Sequence, residues 1–394
     1  MPLTLKEIAR QAGVSRSTVS RVLNDQPNVS ARARGQVLAV TERLNFQPNA
    51  IARSLASGRS RVIGLVIPVG VSSFFTDPFF PSLTQGIAAA CNSHDYTVAL
   101  WLADAEHERQ IARKIIHGGL VDGVIVASAL IDDPMIPMLV QSRIPLVLVG
   151  RHPADDRISY VDVDNRASSK AMVGYLLELG HRRIATVTGP RAAIVSRDRL
   201  SGYGAALDAW GIPSDPSLVV EGDFSEDSGY TAMKPLLARP ERPDAVFAAS
   251  DSMALGVLRA LREAGIRVPE EVAVAGFDDA PFAARTEPPL TTVRQPIQQI
   301  GTVAAERLFE VIENPNTPPR RTILPTELVI RASARRSTFE VPPIPKVARA
   351  DPTPQIAGEQ AERFSQARRG GASQNSQAVV EPIVPDLRLA KEAE

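Results

Sequence analysis

From residue 61 onward the chain alternates short, uninterrupted apolar runs with segments whose apolar residues recur at helical spacing. VIGLVIP, YTVALWL, DGVIVAS and IPLVLVG come first, with helical patterns over residues 82–94 and 106–118 between them. A strand that is apolar along its whole length has both faces covered, which is the mark of a parallel sheet with helices on either side. The pattern restarts with YVDVDN, IATVTG, LVVEGD, AVFAAS and VAVAGFDD, separated by helical patterns over 167–179, 197–210, 225–237 and 252–264. Two similar α/β halves are expected, followed by a helix near 297–312 and a strand at ILPTELVIR.

The amino-terminal stretch TLKEIARQAGVSRSTVSRVLN has a different character. Thr4 suits a helix cap, with Glu7 three residues on to complete a capping box, and Leu5, Ile8, Ala9 and Ala12 form an apolar stripe. Gly13 supplies the positive φ a tight turn between crossing helices needs, Val14 plugs the gap and Ser15 caps the next helix. There Val19, Val22 and Leu23 face inward, leaving Arg16, Ser17, Thr18, Ser20 and Arg21 outside as donors for base edges and phosphates. A third helix over 30–44 completes a helix-turn-helix unit, and the partner it implies is double-stranded DNA. The alternative is an ordinary three-helix bundle with a solvated charged face.

The charge distribution fits a nucleic-acid contact at one end only. The 394 residues carry no net charge, but residues 1–61 hold a balance of +7 and the remainder −7. With no apolar run near the roughly 18 residues of a membrane span, and a charged amphipathic start where a leader would need an apolar core, a cytoplasmic protein without membrane contact is expected. The single cysteine, Cys91, stands in an apolar helical context and offers neither a disulfide nor a thiolate metal site. No cofactor or metal is expected.

Residues 47–60 mix Pro48, Gly58 and several Arg and Ser around Ile51, Ala52 and Leu55, a linker with a helix too short to hold alone in water. Such a segment can fold on binding, and a leucine beside arginines suits a wedge in the minor groove; the alternative is a tether without order. Residues 340–394 are proline-rich with one aromatic, Phe364, and read as a disordered tail. Prolines interrupt every candidate run there and no heptads persist.

AGVSRSTVSRVLN, NAIARSLASG at 49–58, DPFF at 77–80, LGHRRIA at 179–185, SDSMALG at 250–256 and VAGFDD at 274–279 together resemble the LacI/GalR family of bacterial transcriptional regulators over nearly all of residues 3–338. The resemblance implies a helix-turn-helix headpiece over 1–46, a hinge helix over 47–60 and a periplasmic-binding-protein-like core over 61–339. In such cores both halves share crossover strands, giving 61–162 plus 291–324 and 163–290 plus 325–339. It also implies a homodimer on a pseudo-palindromic operator, with Thr4, Ser15, Arg16, Ser17, Thr18, Ser20, Arg21 and Asn24 of the headpiece and Asn49, Ala52 and Leu55 of the hinge at the DNA.

Parallel sheets deliver side chains into a cleft at their strand ends, which directs attention to residues just after the apolar runs. Asp278 follows VAVAGF, Ser250 follows AVFAA and Phe224 follows LVVEGD, while Arg199 starts the helix after IATVTGP and Asp77, Phe79 and Phe80 form the loop before the first core helix. Aromatic faces beside charged groups that offer paired hydrogen bonds suit a polyhydroxylated ring, so a sugar or sugar derivative is the expected effector, a purine or other metabolite the alternative. Arg199, Phe224 and Asp278 match effector-contacting positions of the family; Ser250 departs from the asparagine often found there. Against these roles, Asp278 could cap the following turn, Arg199 could form a surface or interdomain ion pair, and Phe79 and Phe80 could be core or dimer contacts. An enzyme is not expected: Asp278 and Asp279 point apart on an extended segment, and no GxxxxGK[ST], GxSxG or HExxH motif occurs.

Overall fold

A computed structural model describes residues 4–23, 26–46, 58–68, 70–102, 107–127, 130–152 and 157–335. Three helices open the chain: α1 (Leu5–Ala12), α2 (Arg16–Leu23) and α3 (Ala31–Arg43). Gly13 ends α1 at φ +65°, and Ile8, Val19 and Val37, one from each helix, are wholly buried against one another. Thr4 caps α1 by accepting from the Glu7 amide at 3.4 Å. The capping box is left half made, because the Glu7 carboxylate is taken by Arg10 and Gln11, which also hold it down to about 2.

The first lobe of the core is a six-stranded parallel sheet in the order β11-β5-β4-β3-β1-β2, from β1 (Val62–Ile67), β2 (Thr97–Leu102), β3 (Gly123–Ala127), β4 (Leu146–Val149), β5 (Ser159–Val163) and β11 (Arg321–Leu324). Alternate residues of each apolar run serve opposite faces. Leu65, Ile67 and Ile125 pack under α5 (Phe79–Ser93) and α12 (Ile297–Glu313), whereas Val66, Val124 and Val126 pack with residues of α6 (Glu108–Gly118) and α7 (Met135–Ser142). A short helix α4 (Val71–Thr76) precedes α5. Phe79 and Phe80, expected in a loop, are therefore the first two residues of a helix; Pro81 falls in its first turn, where the missing N–H has no partner to lose.

The second lobe is a four-stranded parallel sheet, β7-β6-β8-β9, built from β6 (Ile184–Thr188), β7 (Val219–Glu221), β8 (Ala245–Ala248) and β9 (Ala273–Ala275). Its faces are covered by α8 (Asn165–Glu178) with α9 (Ile194–Ala209) and by α10 (Glu226–Leu237) with α11 (Asp251–Glu263). The expected single strand at ILPTELVIR is two: β11 in the first sheet and β12 (Glu327–Val329) against β10 (Thr292–Arg294), with Pro325 between them. Bridges Ala275–Thr291 and Asp278–Arg294 tie β10 to the end of β9, so the chain returns to the first lobe after Arg294 and not at residue 291. The tail, hinge residues 47–57 with Asn49, Ala52 and Leu55, and Asn24 lie outside the described residues.

Candidate functional site: an exposed basic helix and an interlobe cleft

On α2 the sequence Arg16, Ser17, Ser20, Arg21 puts four polar side chains on one side of the helix, opposite the buried Val19 and Val22. Arg16, Ser17 and Arg21 are exposed, and α2 has no acidic residue in its first turn. Ser15 accepts from the Thr18 amide at 3.1 Å and lies 2.7 Å and 2.8 Å from the hydroxyls of Ser17 and Thr18. These hydroxyls thus present a linked cluster at the positive end of the helix dipole, a setting that suits a phosphate oxygen.

Between the lobes lies a cavity of about 360 Å³, within the range of small-molecule sites. Asp77, Phe79, Phe80, Arg199, Phe224, Ser250 and Asp278 all line it. Phe79 and Phe80 meet edge to face at 5.4 Å, but Phe80 is buried in the first-lobe core and stacks on Phe74, so Phe79 is the more available of the two. Phe224 is held at φ +70°, and its ring rests where Gly189 has no side chain: a Cβ there would lie 2.1 Å from the ring tip.

Arg199 organises the floor. Its Nε donates to Asn165 Oδ1 at 2.9 Å, its Nη1 donates to the Ala249 carbonyl and stands 3.6 Å from Asp278, and the guanidinium lies 3.7 Å over the Phe277 ring. Burial favours its neutral form, opposed by Asp278, Asp162, Asp77 and Asp251 in that order. Asp278 sits at φ +122° and accepts from Gln295 Nε2 at 2.5 Å. Its own burial pushes its carboxyl up to about 7; Arg199 pulls it down and Asp77 pushes it up. Asp279 turns away to Arg294 and Arg331, each at 2.7 Å, so the two carboxylates do not share a site.

Ser250 departs from its expected role in one respect. Its hydroxyl accepts from the Met253 amide at 3.2 Å and caps α11, so it borders the cavity as part of the helix end. The neighbouring Asp251, fully buried, accepts from the Ala280 amide at 2.7 Å and from Thr292 Oγ1 at 2.5 Å, and thereby fixes the strained turn that carries Asp278.

Sequence reasoning missed Arg151, Asp162, Asn165 and Gln295, all of which line the cavity. The first three stand just past IPLVLVG and within or after SYVDV, so the strand-end rule that selected Asp278 would have found them. Arg151 Nε donates to Asp198 at 2.9 Å and its backbone amide to Asp162 at 3.1 Å, joining the two lobes at the cleft. A second link is the antiparallel bridge Leu130–Ala193, with the Ile131 amide 3.0 Å from the Ala192 carbonyl.

Residues 4–49 match the model of bacterial regulatory proteins of the lacI family, and residues 173–334 match that of periplasmic binding protein-like domains. The HTH-type transcriptional regulator CelR of Thermobifida fusca is 40% identical over 334 residues, 84% of this chain and 98% of that protein. The solved CelR–cellobiose complex aligns with a TM-score of 0.67 at 38% identity, covering 84% of this chain and 99% of its own. The lac repressor dimer bound to operator and the anti-inducer ONPF aligns at a TM-score of 0.74 and 29% identity, over 85% and 99% of the two chains.

Proposed function

This chain belongs to the LacI family of bacterial regulatory proteins and is a DNA-binding transcriptional regulator with an effector-binding core; from that premise we propose that it is a cytoplasmic, homodimeric repressor of carbohydrate-use genes whose effector is a neutral sugar. In this proposal residues 1–46 read the operator, 47–60 are the hinge, and 61–339 bind the effector and dimerise. A two-fold dimer demands a two-fold site, hence a pseudo-palindromic operator.

The observation that carries the sugar is the cavity floor: the Phe224 ring beside Arg199 and Asp278, two groups that each offer more than one hydrogen bond to vicinal hydroxyls. Its neutrality follows from the charge around it. Asp77, Asp162 and Asp278 face one shared Arg199, and Arg151 is already paired with Asp198, so a phosphate or carboxylate on the ligand would meet repulsion. The similar CelR was solved with cellobiose, which makes that disaccharide the first probe. Calorimetric titration should give cellobiose binding that changes operator affinity, with glucose 6-phosphate at least tenfold weaker. Binding of guanine or hypoxanthine in place of every neutral sugar would overturn the proposal.

The state of Asp278 gives this site a pH dependence with a definite sign. Ligand hydroxyls donate to the carboxylate, so below about 7 a proton must leave before they can bind. Cellobiose affinity should therefore fall as pH drops from 8 to 6, by up to about tenfold per unit below the midpoint, with proton release visible in buffers of different ionisation enthalpy. Stability of the unliganded core runs the other way. The raised carboxyl holds a proton in the native state from about 3.9, the unfolded value, up to the native one, and the core loses stability as pH rises through that window. Affinity that does not vary between pH 6 and 8 would remove Asp278 from contact with the ligand.

For the operator, Arg16, Ser17 and Arg21 are proposed to set sequence preference, and Thr4, Ser15, Thr18 and Ser20 to hold phosphates. Arg16→Ala should alter the sequences recovered by selection from a random DNA pool, at a cost of about 1–3 kcal/mol on the wild-type site. An equal loss on every sequence would reassign Arg16 to the phosphates.

A further inference from the structure

The linker enters the core at Ser60 and Arg61, and one carboxylate receives it. Asp122 Oδ1 accepts from the Ser60 amide at 2.6 Å and from the Ser60 hydroxyl at 2.9 Å, and Oδ2 accepts from the Arg61 amide at 3.0 Å. Burial, and then the charge of the same carboxylate nearby, push the Tyr96 hydroxyl up. Arg61 is held in the left-handed region at φ +55°, its guanidinium 5.2 Å from the Tyr96 ring centre, and Ser60 Oγ accepts from the Val62 amide at 3.2 Å. A non-glycine residue keeps such a conformation only where its surroundings over-determine it, and here Asp122 is the central partner.

Asp122 directly precedes β3, and Arg61 directly precedes β1; the two strands are neighbours in register, Ile63 opposite Gly123. At their far ends, about 16 Å away for a five-residue strand, lie the cleft and its interlobe links. Pro68 after β1 borders the cavity, and Leu130 and Ile131 beyond β3 bond to Ala193 and Ala192 of the second lobe. Arg151 at the end of β4, the next strand, holds Asp198.

We propose that Asp122 is a positioning residue for the regulatory response: it staples the linker to the ends of β1 and β3, so that a change in the lobe contacts at the cleft alters how the hinge is presented to DNA. A linker attached only through its backbone would pass little of that change on, since a free tether has no preferred direction. Coupling between distant sites needs a connected element that both bias, and the two strands, packed on both faces, form one.

A double-mutant cycle on the full chain tests this without knowledge of the effector, using an operator selected from random DNA with the wild-type protein. Asp198→Asn, which weakens the interlobe link, should shift operator affinity at least fivefold in the wild-type background. In the Asp122→Ala background the same change should shift it less than twofold. Ser60→Ala, which removes one of the three bonds and leaves the carboxylate, should give an intermediate shift and serves if Asp122→Ala does not fold. Equal shifts in all backgrounds, or no shift from Asp198→Asn in any, would overturn the proposal. Failure of the wild type to select any sequence would instead strike the DNA-binding role on which it rests.

Discussion

Arg199→Ala is expected to abolish effector binding and also to destabilise the core by about 3 kcal/mol, the scale for breaking a buried ion pair on one side. The stability loss follows from the partners that Arg199 holds in the cleft floor. Arg199 is 5% exposed and donates to Asn165 and to the Ala249 carbonyl, both of which would lose a donor in a place water does not readily reach. Asp278, Asp162 and Asp77 would lose the cation they share. Because Asp278 already titrates at about 7, it can relieve part of that cost by taking a proton, so the destabilisation should be smaller at pH 6 than at pH 8. Arg199→Lys should recover part of the stability but little of the binding, since an ammonium cannot reproduce the fork that reaches Asn165, Ala249 and Asp278 together. Operator binding should persist, because the headpiece has its own buried cluster. Urea midpoints at the two pH values, with operator binding in parallel, provide the check. An unchanged midpoint would mean that the carboxylates around Arg199 need no countercharge.

The parts of this fold that were legible in the sequence are those set by local pattern. Runs such as VIGLVIP are apolar on every residue because Leu65 and Ile67 serve one face and Val66 the other, and the Gly13 turn is fixed by its own φ. What escaped was set by contacts distant in the chain. Asp251 supports the Asp278 turn through partners 29 and 41 residues away, and no spacing rule reports such a bond. The crossing after Arg294 is decided by bridges from β10 to β9, which have no local signature. Phe79 and Phe80 read as loop, yet the helix begins at Phe79, and Pro81 is well placed in its first turn. All seven cleft residues singled out from strand ends and loops do line one cavity, since the ends of parallel strands in both lobes converge there. Arg151 and Asp162, at strand ends of the first lobe, obey the same rule.

Gly256→Ala should rank with the most disruptive single substitutions in the second lobe, although it adds one methyl group. Gly256 lies on α11 where α10 crosses it, and a Cβ at that position would stand 1.9 Å from the Glu226 carbonyl oxygen and 2.6 Å from the Tyr230 amide nitrogen. Both are backbone atoms, so no side chain can rotate away. On α10, Gly229 closes the same crossing, its own Cβ position 2.1 Å from the Met253 carbonyl. The helices must part by more than an ångström, which costs about 3 kcal/mol on the scale of overpacked cores. The displacement would reach the cleft because α11 begins at Ser250 and Asp251, and Asp251 holds the Ala280 amide beside Asp278. Effector affinity should accordingly fall at least tenfold in whatever fraction remains folded. Gly204→Ala provides the contrast: that glycine is also helical, on α9, but has no atom within 4 Å of its Cβ position, and the change should stabilise by up to about 1 kcal/mol. Denaturant midpoints at constant slope would separate the two. A Gly256→Ala variant as stable as its Gly204→Ala counterpart would show that α10 and α11 can slide past one another without loss.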